Sequence, residues 1–156
     1  MNIKYLKGDA TNPIGNDNKI ICHVCNNIGA WGAGFVMAIS RKWKTPEKAY
    51  RTWYQTDNPH FGLGHIQLVR VKEDIIVCNM VAQQGVGMKD GKPPIRYESL
   101  EKCFDRLLER IEPHKNISLH MPRIGCGLAG GKWKDIESIL QKTIGKTQIP
   151  IYVYDL

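Results

Sequence analysis

No apolar stretch in the 156-residue sequence approaches the ~20 residues that a bilayer-spanning helix needs, and no charged-then-apolar segment follows Met1. A membrane partner is therefore not expected, and a cytoplasmic location is. Cysteine is sparse and odd in number, five residues in all. Cys22, Cys78 and Cys103 fall in apolar strand or helix patterns, which suits reduced, buried thiols better than a disulfide framework. Cys22 and Cys25 have C-x-x-C spacing, yet no second pair follows and the motif ends a strand instead of opening a helix. No metal site and no cofactor are expected. Internal repeats and low-complexity tracts are also absent. Acidic residues are in the minority, 15 against 22 basic ones, for a formal charge of +7 and a pI near 9.2. The basic residues are scattered and the longest cluster, Arg41, Lys42 and Lys44 around Trp43, is short, so the charge reads as a solvated surface and nucleic acid is not indicated.

Glycine, by contrast, is concentrated where it matters. Gly125, Gly127, Gly130 and Gly131 punctuate the stretch from Met121 to Trp133, between an apolar strand and an amphipathic helix. Glycines in such a junction admit positive φ and let N–H groups approach a ligand, while the helix presents its positive end. An anion loop or a plain strand-to-helix turn would both read this way. A second junction of the same kind, from Asn26 through Gly29, Gly32 and Gly34 to Phe35, follows the apolar run Ile20, Ile21, Cys22, His23, Val24. Two such loops at neighbouring strand ends would line one crevice, where open α/β sheets bind ligands.

The length fits one domain, residues 1–156, able to bury a core without metal or disulfides. Strands are predicted at residues 2–6, 19–25, 65–71, 75–82, 117–121 and 151–154, from short β-branched or apolar runs between turn residues. Helices are predicted at 35–43, 46–55, 97–111 and 132–144, the third stopped by Pro113 and the fourth by Gly145. The alternation implies an α/β fold with a mostly parallel sheet of about six strands, and residues 72–74 imply one antiparallel hairpin. Residues 83–94, rich in glycine and proline, read either as a flap that closes on ligand or as a surface loop.

Gly8-Asp9-Ala10 after the first strand, Asn26 before Gly32-Ala33-Gly34, Pro122-Arg123-Ile124-Gly125-Cys126-Gly127-Leu128 before Trp133, and Tyr152-Val153-Tyr154-Asp155 near the end together resemble a macrodomain. The resemblance runs over nearly the whole chain and is nearest to the branch of the ADP-ribose 1''-phosphate phosphatases and the terminal ADP-ribose glycohydrolase. It implies a three-layer α/β/α sandwich whose crevice takes ADP-ribose, ADP-ribose 1''-phosphate or an ADP-ribosylated protein. Asp9 would accept from the adenine amine, with Gly8 and Ala10 beside it at the ligand, and Tyr154 would pack by the adenine; a turn-forming Asp before Thr11-Asn12-Pro13 and a core-edge tyrosine are the competing readings. Backbone N–H groups of Gly32, Ala33, Gly34 and Phe35 on one loop, and of Gly125, Cys126, Gly127, Leu128, Ala129 and Gly130 on the other, would hold the diphosphate and distal ribose, with Trp31, Pro122 and Arg123 also at the ligand. Asn26 would face that ribose. Cys126, near helix N–H groups, is either a reactive thiol or a spectator.

The sequence departs from the family's catalytic patterns. Where related glycohydrolases carry a lysine it has Gln83 followed by Gln84, where they carry an aspartate it has Ala129, and where another class carries an acid it has Val36 and Met37. A glutamine amide forms no Schiff base with an opened ribose. Asn26 and His23 are left as the candidates to orient a water. An odd separation of three puts His23 on the opposite strand face from Asn26 if the strand is regular, so a packed histidine is the competing reading. The function expected is an ADP-ribose-processing hydrolase of the 1''-phosphate phosphatase kind, with a non-catalytic ADP-ribose reader as the alternative.

Overall fold

Residues 20–25 alternate Ile20, Cys22 and Val24 with Ile21, His23 and Cys25, six consecutive residues of which only Val24 is even partly exposed. A strand buried on both faces belongs in the middle of a parallel sheet covered by helices, and that is its place. The computed structural model describes residues 3–112 and 114–156. Its elements are β1 (Ile3–Lys7), β2 (Asn18–Asn26), α1 (Phe35–Lys42), α2 (Thr45–Gln55), β3 (Ile66–Lys72), β4 (Ile75–Gln83), α3 (Tyr97–Ile111), β5 (Ile117–Met121), α4 (Trp133–Lys142), a 3-10 turn (Ile144–Lys146) and β6 (Ile151–Asp155). The first residue of the predicted 2–6 strand, and Pro113, lie outside the described residues.

The sheet runs β1-β6-β5-β2-β4-β3, parallel throughout except for the β3–β4 hairpin. One core lies between the sheet and α3 and α4, with Cys22, Met80, Leu100, Phe104, Leu119, Ile136 and Leu140 fully buried or nearly so. A second, built on Ile21, Trp31, Ile39, Tyr50, Trp53, Val77 and Val81, lies between the opposite face and α1 and α2. The result is the expected three-layer α/β/α sandwich with a mixed, mostly parallel six-stranded sheet. No helix among the described residues is long and apolar enough to cross a membrane.

Most predicted boundaries move by one or two residues, and two of the shifts have a clear local cause. The helix expected over 132–144 ends at Lys142, because Thr143 leaves helical geometry and its hydroxyl donates to Ile139 O at 2.7 Å, after which the chain tightens into the 3-10 turn. α2 starts at Thr45, one residue before Pro46, which stands where a missing N–H costs nothing. Cys22 and Cys25 occupy opposite faces of β2, one in each core.

Candidate functional site

All five parallel strands end at the same edge of the sheet, so their carboxyl-terminal loops line up in strand order. Gly8-Asp9 after β1 and the end of β6 come first, the Gly125 loop after β5 next, the Asn26 loop after β2 third, and residues 84–94 after β4 last. Three inter-strand steps from β6 to β4 span about 14 Å. A long ligand thus has one line of loops to follow.

At the β1 end, Asp9 Oδ1 accepts from Thr11 N–H and from the Thr11 hydroxyl, both at 2.8 Å. Partial burial raises its pKa, but the two Thr11 bonds with Lys42 and Arg41 nearby outweigh this and the net shift is downward. The carboxylate is exposed and keeps Oδ2 for a ligand. Gly8 adopts φ 149°, and a Cβ there would stand 3.6 Å from the Tyr154 ring. Tyr154 is buried. Its hydroxyl accepts from Ile14 N–H at 3.0 Å and lies 2.7 Å from His120 Nδ1, whose Nε2 lies 2.8 Å from Ser118 Oγ. With the Tyr154 proton given to Nδ1, the His120 tautomer is the one that donates from Nε2 to Ser118. Burial, with Lys19 adding to it, holds His120 down at a pKa of about 4. Ala10 is buried beneath this corner.

The loop after β2 is organised from within by Asn26. Its Oδ1 accepts from Ile28 N–H and Ala30 N–H, both at 3.0 Å, and its Nδ2 donates to Ala30 O at 2.7 Å. One Nδ2 proton remains for a ligand. The loop delivers the chain into α1 through Gly34, at φ 83°, with no side-chain cap. Among the described residues, the N–H groups of Gly32, Ala33, Gly34 and Phe35 meet no acceptor in the protein. Free amides at a helix start are donors of the type that anions meet.

The loop after β5 is pinned by Gly131 N–H on Gly125 O at 2.7 Å and Gly130 N–H on Gly127 O at 3.1 Å. Gly125 is at φ 73°, where a side chain is strained, and a Cβ there would also push on the Ile136 and Ile95 methyl ends at 2.9 and 3.0 Å. Pro122 starts the turn by accepting from Ile124 N–H at 2.7 Å. The N–H groups of Gly127, Leu128 and Ala129 are unmatched among the described residues. Leu128, 67% exposed, reaches across so that a Cβ on Gly34 would touch it at 3.5 Å. The loops face each other over a cavity of about 360 Å³ lined by Cys25, Asn26, Trp31, Gln83, Val86, Leu128 and their neighbours.

Several expected residues stand elsewhere. His23 lines no part of that cavity. It is 1% exposed, with Nε2 2.5 Å from Asn79 Oδ1 and its ring against Trp31 and Phe35, and burial pushes its pKa down to about 4. Asn26 Oδ1 meets the Tyr50 hydroxyl of α2, so its side chain also lies on the α2 side and the opposite-face expectation fails at this last residue of β2, where the register against β4 shifts. Arg123 turns away from the crevice into a two-bond pair with Asp155, at 2.8 and 3.0 Å, and stacks over Tyr5 and Trp133. Trp31 buries its ring and donates its indole N–H to Ser40 Oγ at 2.8 Å. Burial raises the Cys126 thiol, with Arg123 offsetting only part of this, so no activation by helix N–H groups is found.

Residues 84–94 are rooted rather than loose. Gly85 N–H donates to Asn27 Oδ1 at 2.9 Å, Gln84 N–H to Pro94 O at 2.8 Å, and Ile95 N–H to Ala129 O at 3.1 Å. Between these anchors the run from Val86 to Lys92 is exposed, and at its tip Asp90 and Gly91, both at positive φ, close a two-residue hairpin between Lys89 and Lys92. Val86 and Gly87 line the cavity and were missed as individual residues by sequence reading. Their signal was only position, after a strand and between glycines.

The Macro domain family model matches residues 22–140, the stretch that carries both glycine loops. The chain belongs to the macrodomain family. Among solved structures, this macrodomain is similar to a protein of unknown function from Bacteroides thetaiotaomicron, 50% identical with a TM-score of 0.95 and covering 100% of this chain and 99% of that one. It is also similar to a macrodomain protein from Streptomyces coelicolor, 42% identical with a TM-score of 0.86 over 99% of both chains. An ADP-ribose 1''-phosphate phosphatase from Candida albicans is 26% identical over 154 residues, 90% of this chain and 92% of its own. Other macrodomain relatives are far longer; the chain spans 17% of the mouse chromodomain-helicase-DNA-binding protein 1-like.

Proposed function

We propose that this macrodomain binds ADP-ribose 1''-phosphate, or an ADP-ribosyl group close to it, and releases the terminal phosphate. The observation that carries the reading is the pair of facing loops whose amides at Gly32, Ala33, Gly34 and Phe35, and at Gly127, Leu128 and Ala129, have no protein acceptor among the described residues. Two arrays of fixed N–H donors suit a diphosphate flanked by sugars. Asp9 would accept from the adenine amine, with Gly8, Ala10 and Tyr154 shaping that end. Asn26 would give its remaining Nδ2 proton to the distal ribose.

The chemistry would be water attack on phosphorus, with the P–O bond to the sugar breaking and the water proton passing to the departing hydroxyl oxygen. Backbone N–H groups hold the phosphoryl oxygens as charge builds, a contribution that preorganised donors supply without any nucleophile. Gln83 donates Nε2 to Gly85 O at 2.9 Å, which leaves its Oε1 to orient the water at the cavity wall. The similarity to a Candida albicans phosphatase supports this reading. A second reading, a non-catalytic reader of free or protein-linked ADP-ribose, is favoured by one observation: apart from the buried Cys25 thiol, which burial pushes well up, no acid or base among the described residues lines the cavity.

Calorimetric titration with ADP-ribose on the wild type and Asp9→Ala, followed by phosphate release from ADP-ribose 1''-phosphate, tests both. Micromolar binding weakened by Asp9→Ala, with phosphate release, is the expected result. Binding without release leaves the reader, and no binding removes the proposal.

A further inference from the structure

Arg51 lies on α2, outside the crevice, and is absent from the residues that line the cavity. Its guanidinium nonetheless grips the back of the first glycine loop. Nη1 donates to Gly29 O at 3.1 Å, Nη2 to Trp31 O at 3.2 Å, and Nε to Glu47 Oε2 at 3.0 Å. Glu47 Oε1 accepts from the Ser40 hydroxyl at 3.0 Å, and Ser40 Oγ accepts from the Trp31 indole at 2.8 Å. The contacts form a closed ring, from Arg51 through Glu47 and Ser40 to Trp31 and back, that ties α1, α2 and the loop together.

The ring has a directional effect. In a planar trans peptide the C=O and the following N–H point in opposite directions. Gly29 O held toward Arg51 therefore sends Ala30 N–H the other way, and it meets Asn26 Oδ1 at 3.0 Å. Trp31 O held toward Arg51 likewise sends Gly32 N–H away from α2, to the side of the cavity that Gly32 lines. A charged donor on the Trp31 carbonyl also polarises that peptide and makes its N–H a stronger donor.

We infer that Arg51 is a positioning residue, setting the crevice's affinity for the anionic half of its ligand by fixing the Gly32 N–H from behind, without touching the ligand. The inference rests on reading the crevice as an ADP-ribose site. It assigns Arg51 a selective effect: the diphosphate end of a ligand should depend on it, and the adenosine end, several strands away at Asp9 and Tyr154, should not.

ADP-ribose and adenosine are titrated into the wild type, Arg51→Met and Arg51→Lys, and Gly32 and Ala30 amides are followed by 1H–15N NMR in the ligand-free proteins. Arg51→Met should weaken ADP-ribose by about tenfold or more while adenosine changes by less than about threefold. Arg51→Lys keeps the charge but cannot fork across two carbonyls, and should recover only part of the loss. Unchanged ADP-ribose affinity in Arg51→Met, or equal losses for both ligands, overturns the inference. Should the wild type bind no ADP-ribose, the proposed function fails, and the Gly32 amide decides this point separately: displaced in Arg51→Lys supports it, unmoved overturns it. If Arg51→Met does not fold, Arg51→Lys carries both measurements.

Discussion

The Tyr50 hydroxyl reaches from α2 to the end of β2 and shares its proton between two acceptors on Asn26, the main-chain carbonyl at 2.6 Å and Oδ1 at 2.8 Å. Asn26 is thus held from α2 while it holds the loop above it. Truncating Asn26 to Ala leaves the N–H groups of Ile28 and Ala30 and part of the Tyr50 bond unmatched, at about 1–3 kcal/mol for each group left buried. Asn26→Ala should therefore lower both the melting temperature and ADP-ribose affinity. Were stability unchanged and only phosphate release lost, by more than about tenfold, Asn26 would be a chemical participant and not a loop organiser.

Gly131 and Gly127 make a contrasting pair in the second loop. A Cβ on Gly131 would stand 2.6 Å from Gly125 O, a main-chain atom that cannot swing aside, whereas nothing lies within 4 Å of one on Gly127. Gly131→Ala should cost about 2 kcal/mol, and Gly127→Ala less than about 0.5. Urea denaturation of both variants checks the order, and Gly127→Ala, which keeps the main-chain N–H and crowds nothing within the protein, should bind ADP-ribose as the wild type does.

Tyr154→Phe removes one oxygen from a buried chain. Ile14 N–H and His120 Nδ1 both lose a partner. The expected cost is about 1–3 kcal/mol, with the residues between Thr11 and Ile14 freed beside Asp9. Adenosine affinity should fall along with ADP-ribose affinity, the reverse of the Arg51 pattern. Titration of both ligands distinguishes the two ends of the crevice.

His23 and His120 both have folded pKa values of about 4, below the 6.5 of an unperturbed histidine. The unfolded chain binds their protons first, so the stability they contribute is fully present above about pH 6.5 and is lost as pH falls from there through 4. NMR of the ring signals should show neither histidine titrating between pH 8 and 5. Urea midpoints should decline over pH 6.5 to 4, less steeply in His120→Gln. A ring signal that shifts with a midpoint near 6.5 would contradict the burial argument.

Much of this molecule was legible in its residue pattern because local physics decides local structure. The spacing of Leu100, Cys103, Phe104, Leu107 and Ile111 gave α3 to the residue, and β5 likewise, since apolar periodicity and turn residues mark both. The two glycine loops declared themselves by composition, whereas the missing lysine and aspartate at Gln83 and Ala129 were visible only through the resemblance to macrodomains. Asp9 was legible both as a strand-end carboxylate and as a turn former before Thr11, and its Oδ1 accepts from Thr11 N–H as such a turn requires.

What the sequence could not carry was direction. Asn26 closes β2, where the register against β4 shifts, and its side chain meets Tyr50 on the α2 side, which strict alternation from His23 does not foresee. Arg123 sits within the loop motif, yet Asp155, on β6, and the rings of Tyr5 and Trp133 draw it out of the crevice. Tyr50, Arg51 and Glu47 looked like ordinary positions of an amphipathic helix, and only packing made them the back wall of a loop some twenty residues earlier. The sequence by itself determined the elements, the α/β class and the two anion-loop candidates, since those follow from periodicity and backbone permissiveness. The tertiary structure alone decided which amides stay free, which polar side chains serve the loop instead of a ligand, and in what order the loops stand along the crevice, because each depends on partners distant in sequence.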